Sequence, residues 1–180
     1  VIYNGGIVVP LASGYIDYAG DTAGGTTQAL GVLTGVMYQD SVRKQPVWLN
    51  YWPGSGAVSV DTNHPVRVYV ADNPNQLFQV SSDASLTNRA TAVATIFANT
   101  DLGTSARTGS TDTGASNSQA SVANVNTTAT LPLRIVGIVD DDANSDYTAA
   151  GIPLIVRLNA HFNAGTRRFD SQSTADSTGL

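Results

Sequence analysis

The sequence predicts an all-β protein: an antiparallel sandwich or jelly-roll-like barrel with long Ser/Thr-rich loops and extended terminal arms. All 14 acidic residues are Asp, and Lys44 is the single lysine among the 9 basic residues. Glu and Lys favour helices, whereas Val, Thr and Ile favour strands and Asp, Asn, Ser and Gly favour turns. The segment 152–162 also alternates apolar and polar residues at period two, which is typical of a strand with one buried face.

The strand predicted at 152–162 is the best defined in the chain. The segment 131–139 repeats its alternation, and the connection 140–151 is rich in Asp, Asn, Ser and Gly. Two such strands with a turn-rich connection predict an antiparallel hairpin. The apolar face of 152–162 holds Ile152, Leu154, Val156, Leu158, Ala160 and Phe162, and His161 falls on the polar face.

The first half of the chain predicts further elements in order. Residues 1–11 favour an extended arm or edge strand, because glycine and proline interrupt their apolar run. Residues 17–27 predict a turn-rich loop. Residues 30–38 carry apolar groups on both faces, which predicts a central strand buried on both sides. A further strand is predicted at 47–52.

The middle of the chain predicts a second hairpin. Segments 65–71 and 76–80 alternate like strands, and the sequence Asp-Asn-Pro at 72–74 is a turn signal between them. Segment 86–99 combines helical spacing of apolar residues with Thr and Val, which lean extended, so we favour irregular or extended structure there.

The length of 180 residues predicts a single β domain at 1–163. Residues 100–130 are almost entirely Ser, Thr, Gly, Ala, Asn and Asp, which predicts a long surface loop. Residues 164–180 have similar composition and predict an extended tail packed on a neighbouring chain. The chain begins at Val1 rather than Met, which leaves open whether residues precede it.

Charge and composition argue against several classes of partner. A net charge of −5 and a pI near 4.6 oppose binding to nucleic acid, whose phosphates attract clustered Lys and Arg. No apolar run approaches the roughly 20 residues that span a bilayer, so no membrane association is expected. The absence of cysteine excludes disulfides and thiolate metal sites.

Catalytic residues are sparse, and we predict that the chain is not an enzyme. A nucleophilic Ser or Thr needs a base, and His64 and His161 are the two histidines. His64 lies in a turn and His161 on a strand face, and no Gly-x-Ser-x-Gly motif accompanies them. The adjacent carboxylates at 140–142 lie in a loop that enforces no separation between an acid and a base.

The same loop is a weak calcium candidate, in a chain for which we predict no resident cofactor. Alternate oxygen-bearing side chains can point at one hard cation. However, Ser145 stands where an EF-hand has its turn glycine, and Gly151 where it has a bidentate Glu. A solvated hairpin loop is the simpler interpretation. The candidate ligands are Asp140, Asp142, Asn144 and Asp146.

Aromatic and basic side chains provide the candidate interfaces. Strand alternation places Trp48 and Trp52 on one face and Tyr51 on the other, so one face is expected in the core and the other at an interface. The same indoles could instead stack on sugar rings. Arg167, Arg168 and Phe169 are interface candidates in the tail.

Three blocks carry a resemblance to a known family. Residues 68–80 (VYVADNPNQLFQV), 129–140 (ATLPLRIVGIVD) and 156–162 (VRLNAHF) resemble small virion proteins of tailed bacteriophages, described as capsid cement, decoration or head-stabilising proteins. The similar region covers about 30–163, and Asp-Asn-Pro at 72–74 replaces the commoner Asp-Asp-Pro. The matching positions are Phe78, Val80, Leu133, Arg134, Ile135, Asn159 and His161.

The resemblance implies a structural role. Such a protein is assembled in the host cytoplasm, binds the outer surface of an icosahedral phage head and clamps adjacent major capsid subunits against internal DNA pressure. It implies the major capsid protein as partner and a homo-dimer or homo-trimer at an icosahedral axis. The alternative from the residues themselves is a carbohydrate-binding or adhesin-like β-sandwich that uses Trp48 or Trp52.

Overall fold

The computed structural model describes residues 1–19, 28–103, 108–139 and 146–164, and it confirms the all-β prediction. Two sheets form, and one of them closes into a barrel. The elements are β1 (Ile7–Pro10), β2 (Ile16–Tyr18), β3 (Gly31–Gln39), β4 (Pro46–Leu49), β5 (Arg67–Ala71), β6 (Phe78–Ser82), α1 (Arg89–Ala94), β7 (Asn99–Leu102), β8 (Gln119–Asn126), β9 (Leu133–Ile138) and β10 (Pro153–Leu158).

The open sheet is built around β3, as expected for the central strand predicted at 30–38. Strand β5 pairs antiparallel along one edge of β3, while β1 and β4 pair with different parts of the other edge. Strand β1 also pairs with β2, so the N-terminal segment is not the edge strand that its sequence predicted. A register shift between Leu33 and Gly35 interrupts the alternation of β3, so that Leu33 and Val36 are both buried.

The second sheet closes in the order β10, β6, β8, β7 and β9, with β9 returning to β10. Strands β6 and β8 pair in parallel, and the other neighbours pair antiparallel. The predicted hairpin between 131–139 and 152–162 is confirmed, because β9 pairs with β10. Closure leaves these strands with no free edge, which removes a template for aggregation.

Strand β10 follows its predicted alternation only as far as Leu158. Up to that point the apolar side chains are buried as expected. The chain then bends and makes a parallel bridge between His161 and Ala29. This bend reverses the predicted faces, so that His161 is buried and Phe162 is exposed.

The predicted second hairpin is wrong. Strands β5 and β6 do not pair with each other: β5 completes the open sheet beside β3, and β6 enters the barrel between β10 and β8. A turn does form between them, where Asn73 Oδ1 accepts a hydrogen bond of 2.9 Å from Asn75 N. The predicted turn at 72–74 is therefore present, but it connects a strand of the open sheet to a strand of the barrel.

The prediction of a surface loop at 100–130 is also wrong over much of that segment. The segment supplies β8 and most of β7, and all four residues of β7 are buried. Its composition suits the barrel, because a five-stranded barrel has a narrow interior that small side chains such as Thr100 and Ala120 can fill. Backbone pairing of β7 with both β8 and β9 offsets the cost of ordering it.

Segment 86–99 contains a short helix, where irregular or extended structure was favoured. Helix α1 is six residues long and starts after the N-cap Asn88, whose Oδ1 accepts a hydrogen bond of 2.9 Å from Thr91 N. Ala92 is its buried contact with the protein. The side chains of Ala90, Val93 and Ala94 are exposed.

Strand β1 joins the two hydrophobic cores. Its Ile7 and Val9 side chains pack with the barrel core, which includes Leu133, Ile135 and Leu154. Between them, Val8 points to the opposite side and packs in the open-sheet core. The members of that second core are Ile2, Tyr3, Val8, Tyr18, Leu33 and Val36. The two sheets are therefore held together through both faces of one strand.

Candidate interaction surface

One face of the open sheet gathers aromatic, sulfur-containing and basic side chains. Met37 of β3 is paired with Trp48 of β4 and with Arg67 of β5. Residues paired across strands point to the same side, so these three side chains share a face. Gly35 is paired with Tyr69, two residues along the same strands. We call these five residues the Trp48 face.

The Trp48 face is open to solvent. Trp48 is 55% exposed, Tyr69 and Arg67 are also exposed, and Met37 is half-buried. The Trp48 and Tyr69 rings have centroids 4.8 Å apart and planes inclined by 56°. A tilted pair of this kind is attractive beyond the area it buries. The exposed indole is therefore held in one orientation.

The Trp48 indole packs directly on the backbone of Gly35. A Cβ added at Gly35 would lie 2.4 Å from Cζ2 of Trp48, well inside van der Waals contact. The Trp48 ring therefore crosses β3 directly over bare backbone to reach Tyr69 on β5. Glycine within a strand commonly marks such a close approach.

Arg67 carries a charge that nothing in the described part of the chain neutralises. The ion pairs among the described residues join Asp61 to Lys44 at 3.5 Å and to His64 at 3.7 Å. The Arg67 guanidinium takes part in neither pair. It is available to a carboxylate of a binding partner, with which it could form a two-pronged hydrogen bond.

Trp52 does not share the face of Trp48, contrary to the sequence prediction. Strand β4 ends at Leu49, and the bend at 50–51 breaks the alternation on which that prediction depended. Trp52 is half-buried and packs against the open-sheet core, with its ring edge-on to Tyr38 at 6.2 Å and 75°. Of the two indoles, Trp48 is therefore the one presented to solvent.

Most of the other candidate residues lie outside the described residues. This applies to Arg167, Arg168 and Phe169 of the tail and to Asp140, Asp142 and Asn144 of the loop. Asp146 is described: its Oδ1 accepts hydrogen bonds from Oγ1 and N of Thr148 at 2.6 and 2.9 Å. These bonds lower the pKa of the Asp146 carboxyl.

The described ranges contain neither a metal cluster nor a membrane-spanning helix. In these ranges no three His, Cys, Asp or Glu side chains come together as metal ligands. Helix α1, at six residues, falls far short of the length needed to cross a bilayer.

Neither histidine is positioned to activate a nucleophilic hydroxyl group of the described residues. The side chain of His64 is 60% exposed, and its Nδ1 lies 3.7 Å from Oδ2 of Asp61. His161 is buried, and its Nδ1 accepts a hydrogen bond of 3.0 Å from Asn163 N. Within this part of the chain, neither imidazole is hydrogen bonded to a hydroxyl group.

Burial of His161 favours the neutral form of its imidazole. Because Nδ1 acts as an acceptor, the hydrogen-bond network assigns the proton to Nε2. Nε2 is buried and has no hydrogen-bond partner within the described ranges. Burial lowers the pKa of His161, and the negative charge of Asp72 offsets this only in part.

We expect His161 to make stability depend on pH on the acid side of neutrality. The unfolded chain binds a proton near the ordinary pKa of 6.5, whereas folded His161 resists protonation. Stability is therefore full above that pKa and is lost as pH falls from 6.5 toward the lower pKa of the folded state. Urea unfolding at several pH values between about 5 and 7.5 measures this loss, above the range in which Asp titrates.

The control is His161→Asn, whose side-chain oxygen can still accept the bond from Asn163 N. This variant should flatten the pH dependence, while His64→Asn should leave it in place. A wild-type slope that survives in His161→Asn would show that another group is responsible.

Comparison of the chain with protein-family models, with curated proteins and with solved structures found no match. Function is therefore inferred from the structure, and the Trp48 face is the feature of the described residues that points to a binding partner. Alternation within the segment 65–71 is enough to place Arg67 and Tyr69 on one side of a strand. It could not show that Trp48 reaches them across β3, because that requires knowing that β3 lies between β4 and β5.

Proposed function

We propose that the chain is a structural virion protein that binds the outer surface of an icosahedral phage head and clamps adjacent major capsid subunits. The observation that carries the proposal is the Trp48 face. Trp, Tyr, Met and Arg are the residue types enriched in protein–protein interfaces, and Trp, Tyr and Arg dominate binding hot spots. Here all four types share one exposed face.

The held orientation of the Trp48 ring favours a protein partner. A side chain that is already fixed loses little rotamer entropy on binding, which leaves more of the contact energy for affinity. Gly35 below and Tyr69 beside the indole provide this fixation. The cationic Arg67 next to the rings would pair with a carboxylate on the partner.

Charge and fold are compatible with the outer surface of a head. A net charge of −5 disfavours contact with packaged DNA, which fits a position outside the shell. The barrel has its strands paired on both edges, which resists aggregation at high local copy number. The resemblance of 68–80, 129–140 and 156–162 to head-stabilising proteins supports the same role.

The test is a copy count of this chain relative to the major capsid protein in purified particles of the phage that encodes it. A fixed stoichiometry matching the coat lattice, and heads that release DNA at lower temperature when the chain is missing, are expected. A handful of copies per particle, or none, would overturn the proposal.

A carbohydrate-binding module is the second candidate, favoured by one observation. The Trp48 indole lies over Gly35 with much of its surface open, and such a ring can stack on the apolar side of a sugar. Titration of the purified chain with glycans, followed by tryptophan fluorescence, would show saturable quenching. This signal should vanish in Trp48→Ala and persist in Trp52→Phe, in which Trp48 is the only indole left.

A further inference from the structure

Two arginines lie directly opposite each other on the outside of the barrel. Arg134 of β9 is paired with Arg157 of β10. On each strand the residues before and after the arginine are buried in the barrel core, so alternation turns both arginines outward. Both are half-buried. Paired residues on neighbouring strands have Cβ atoms about 5 Å apart, so the two cationic side chains start from adjacent positions.

The positive charges of this pair are not matched within the described part of the chain. Asp61 is the acidic member of both ion pairs that form between described residues, and neither arginine takes part in them. In the same ranges, Nε of Arg157 is buried without a hydrogen-bond partner. Like charges directly opposite each other across strands are unfavourable, and a buried donor of a charged group is costly to leave unpaired. A negatively charged acceptor bound between the arginines would offset the repulsion.

The position beside Arg134 on the next strand holds a neutral amide. Asn99 of β7 is paired with Arg134 on one side and with Asn126 of β8 on the other. Asn99 is 8% exposed, and its Nδ2 donates a hydrogen bond of 3.0 Å to Thr128 O. An aspartate at this position would have supplied an ion pair across the strands. The fold instead leaves the charge of the arginine pair to a ligand.

We propose that Arg134 and Arg157 form a binding site for a doubly charged tetrahedral oxyanion, a phosphate or sulfate group. Guanidinium groups bind such oxyanions through paired, charge-assisted hydrogen bonds. A dianion balances both positive charges, whereas one carboxylate leaves one of them unbalanced. The net charge of −5 disfavours a polyanion, so the ligand carries a single group of this kind. The site lies on the barrel, away from the strands of the Trp48 face, and goes beyond the proposed head binding.

The experiment titrates inorganic phosphate into the purified chain by calorimetry at about pH 8, where phosphate groups are almost fully dianionic. We expect saturable binding with a Kd of about 1 mM or below, measured against chloride at equal ionic strength. Binding should be at least about tenfold weaker in Arg134→Gln and in Arg157→Gln, because each removes a charged hydrogen-bond donor. Arg67→Gln is the matched control, since Arg67 is exposed and paired with Met37 rather than with a second arginine. It should bind phosphate like wild type.

The melting temperature without phosphate tests whether the pair is uncompensated in the free chain. Both glutamine variants should melt at the temperature of wild type or above it, because each relieves the repulsion between like charges. Lower melting temperatures in both would show that other groups already compensate the arginines, which overturns the inference. Wild type that binds no phosphate, or equal binding in wild type and both variants, would also overturn it.

Two further probes define the ligand. Acetate should bind more weakly than phosphate, and acetate binding as tight as that of phosphate would overturn the choice of a dianion. Glucose 6-phosphate distinguishes the source of the group: tighter binding than inorganic phosphate supports a phosphate ester of a larger molecule, and weaker binding supports the free ion. All these measurements use the chain alone, so their results are independent of whether it binds heads.

Discussion

Trp48→Ala is expected to raise the concentration of chain needed for half-saturation of heads by about 30-fold or more, with the fold intact. Truncation of a central aromatic in an interface costs about 2 kcal/mol or more of binding free energy, and 1.4 kcal/mol corresponds to a factor of ten. Because Trp48 is 55% exposed in the free chain, its removal should change unfolding free energy by less than about 1 kcal/mol. Binding to heads and urea unfolding, measured on the same preparation, separate the two effects.

Gly35→Ala provides a sharper version of the same experiment. Its added methyl group would lie 2.4 Å from Cζ2 of Trp48, so the indole must move although no aromatic atom is lost. We expect weaker binding than wild type, in the same direction as Trp48→Ala. If both variants bind heads like wild type, the Trp48 face is not the contact.

Trp52→Ala is the control that distinguishes an indole in the core from one at an interface. Trp52 packs against the open-sheet core and lies edge-on to Tyr38. Its truncation should lower the stability of the chain, in contrast to that of Trp48. A larger loss of stability in Trp48→Ala than in Trp52→Ala would reverse the assignment of the two rings.

The strands that could be predicted from sequence are those with a side chain that marks each face. In β9 and β10, large apolar residues alternate with polar ones such as Arg134 and Arg157, so one face and one register satisfy the pattern. Strand β3 was predictable as a central strand, because its apolar groups lie on both faces. Its predicted burial on both sides is wrong: Leu33, Val36 and Tyr38 are buried, whereas the face with Met37 is open to solvent.

Strands β7 and β8 could not be predicted because their side chains are small. Thr100 and Ser121 are buried, yet serine and threonine are common in turns. Ala120 is also buried, but its small side chain gives no strand signal. What holds them is a barrel that needs narrow side chains inside, together with backbone pairing to β9 and β6. Neither condition is visible within the segment itself. The same limitation explains why β5 and β6 looked like partners, since adjacency in sequence is the usual route to a hairpin.

The sequence predicted the residue types of the candidate surface but not their exposure. Trp48 stood out as an aromatic residue, but its exposure depends on the end of β4 at Leu49 and on the glycine beneath the ring. Phe97 was not marked out by the sequence, because irregular or extended structure was favoured for segment 86–99. The backbone of Phe97 is left-handed, and the turn that contains it is hydrogen bonded to Ile135, which lies 38 residues later in the sequence.

Leu154→Ala is expected to be among the most destabilising single truncations in the barrel, with a loss of about 3 kcal/mol and a range of 2–5 kcal/mol. Leu154 has 0% exposure and lies on β10, where it is paired with Val80 of β6 and with Ile138 of β9. Both neighbouring strands are fixed by the closed ladder, so the barrel cannot collapse around the missing methyl groups, and the cavity cost adds to the lost burial.

The matched control is Leu77→Ala, the same chemical change at a leucine that is 51% exposed. It should alter the unfolding free energy by no more than about 0.5 kcal/mol. Urea unfolding of both variants, with equal m-values required for a two-state comparison, measures the difference. If Leu154→Ala lost no more stability than Leu77→Ala, packing inside the barrel would not be what holds β10 in place. The stability of the domain would then depend on the open sheet and its core around Val8, Leu33 and Val36.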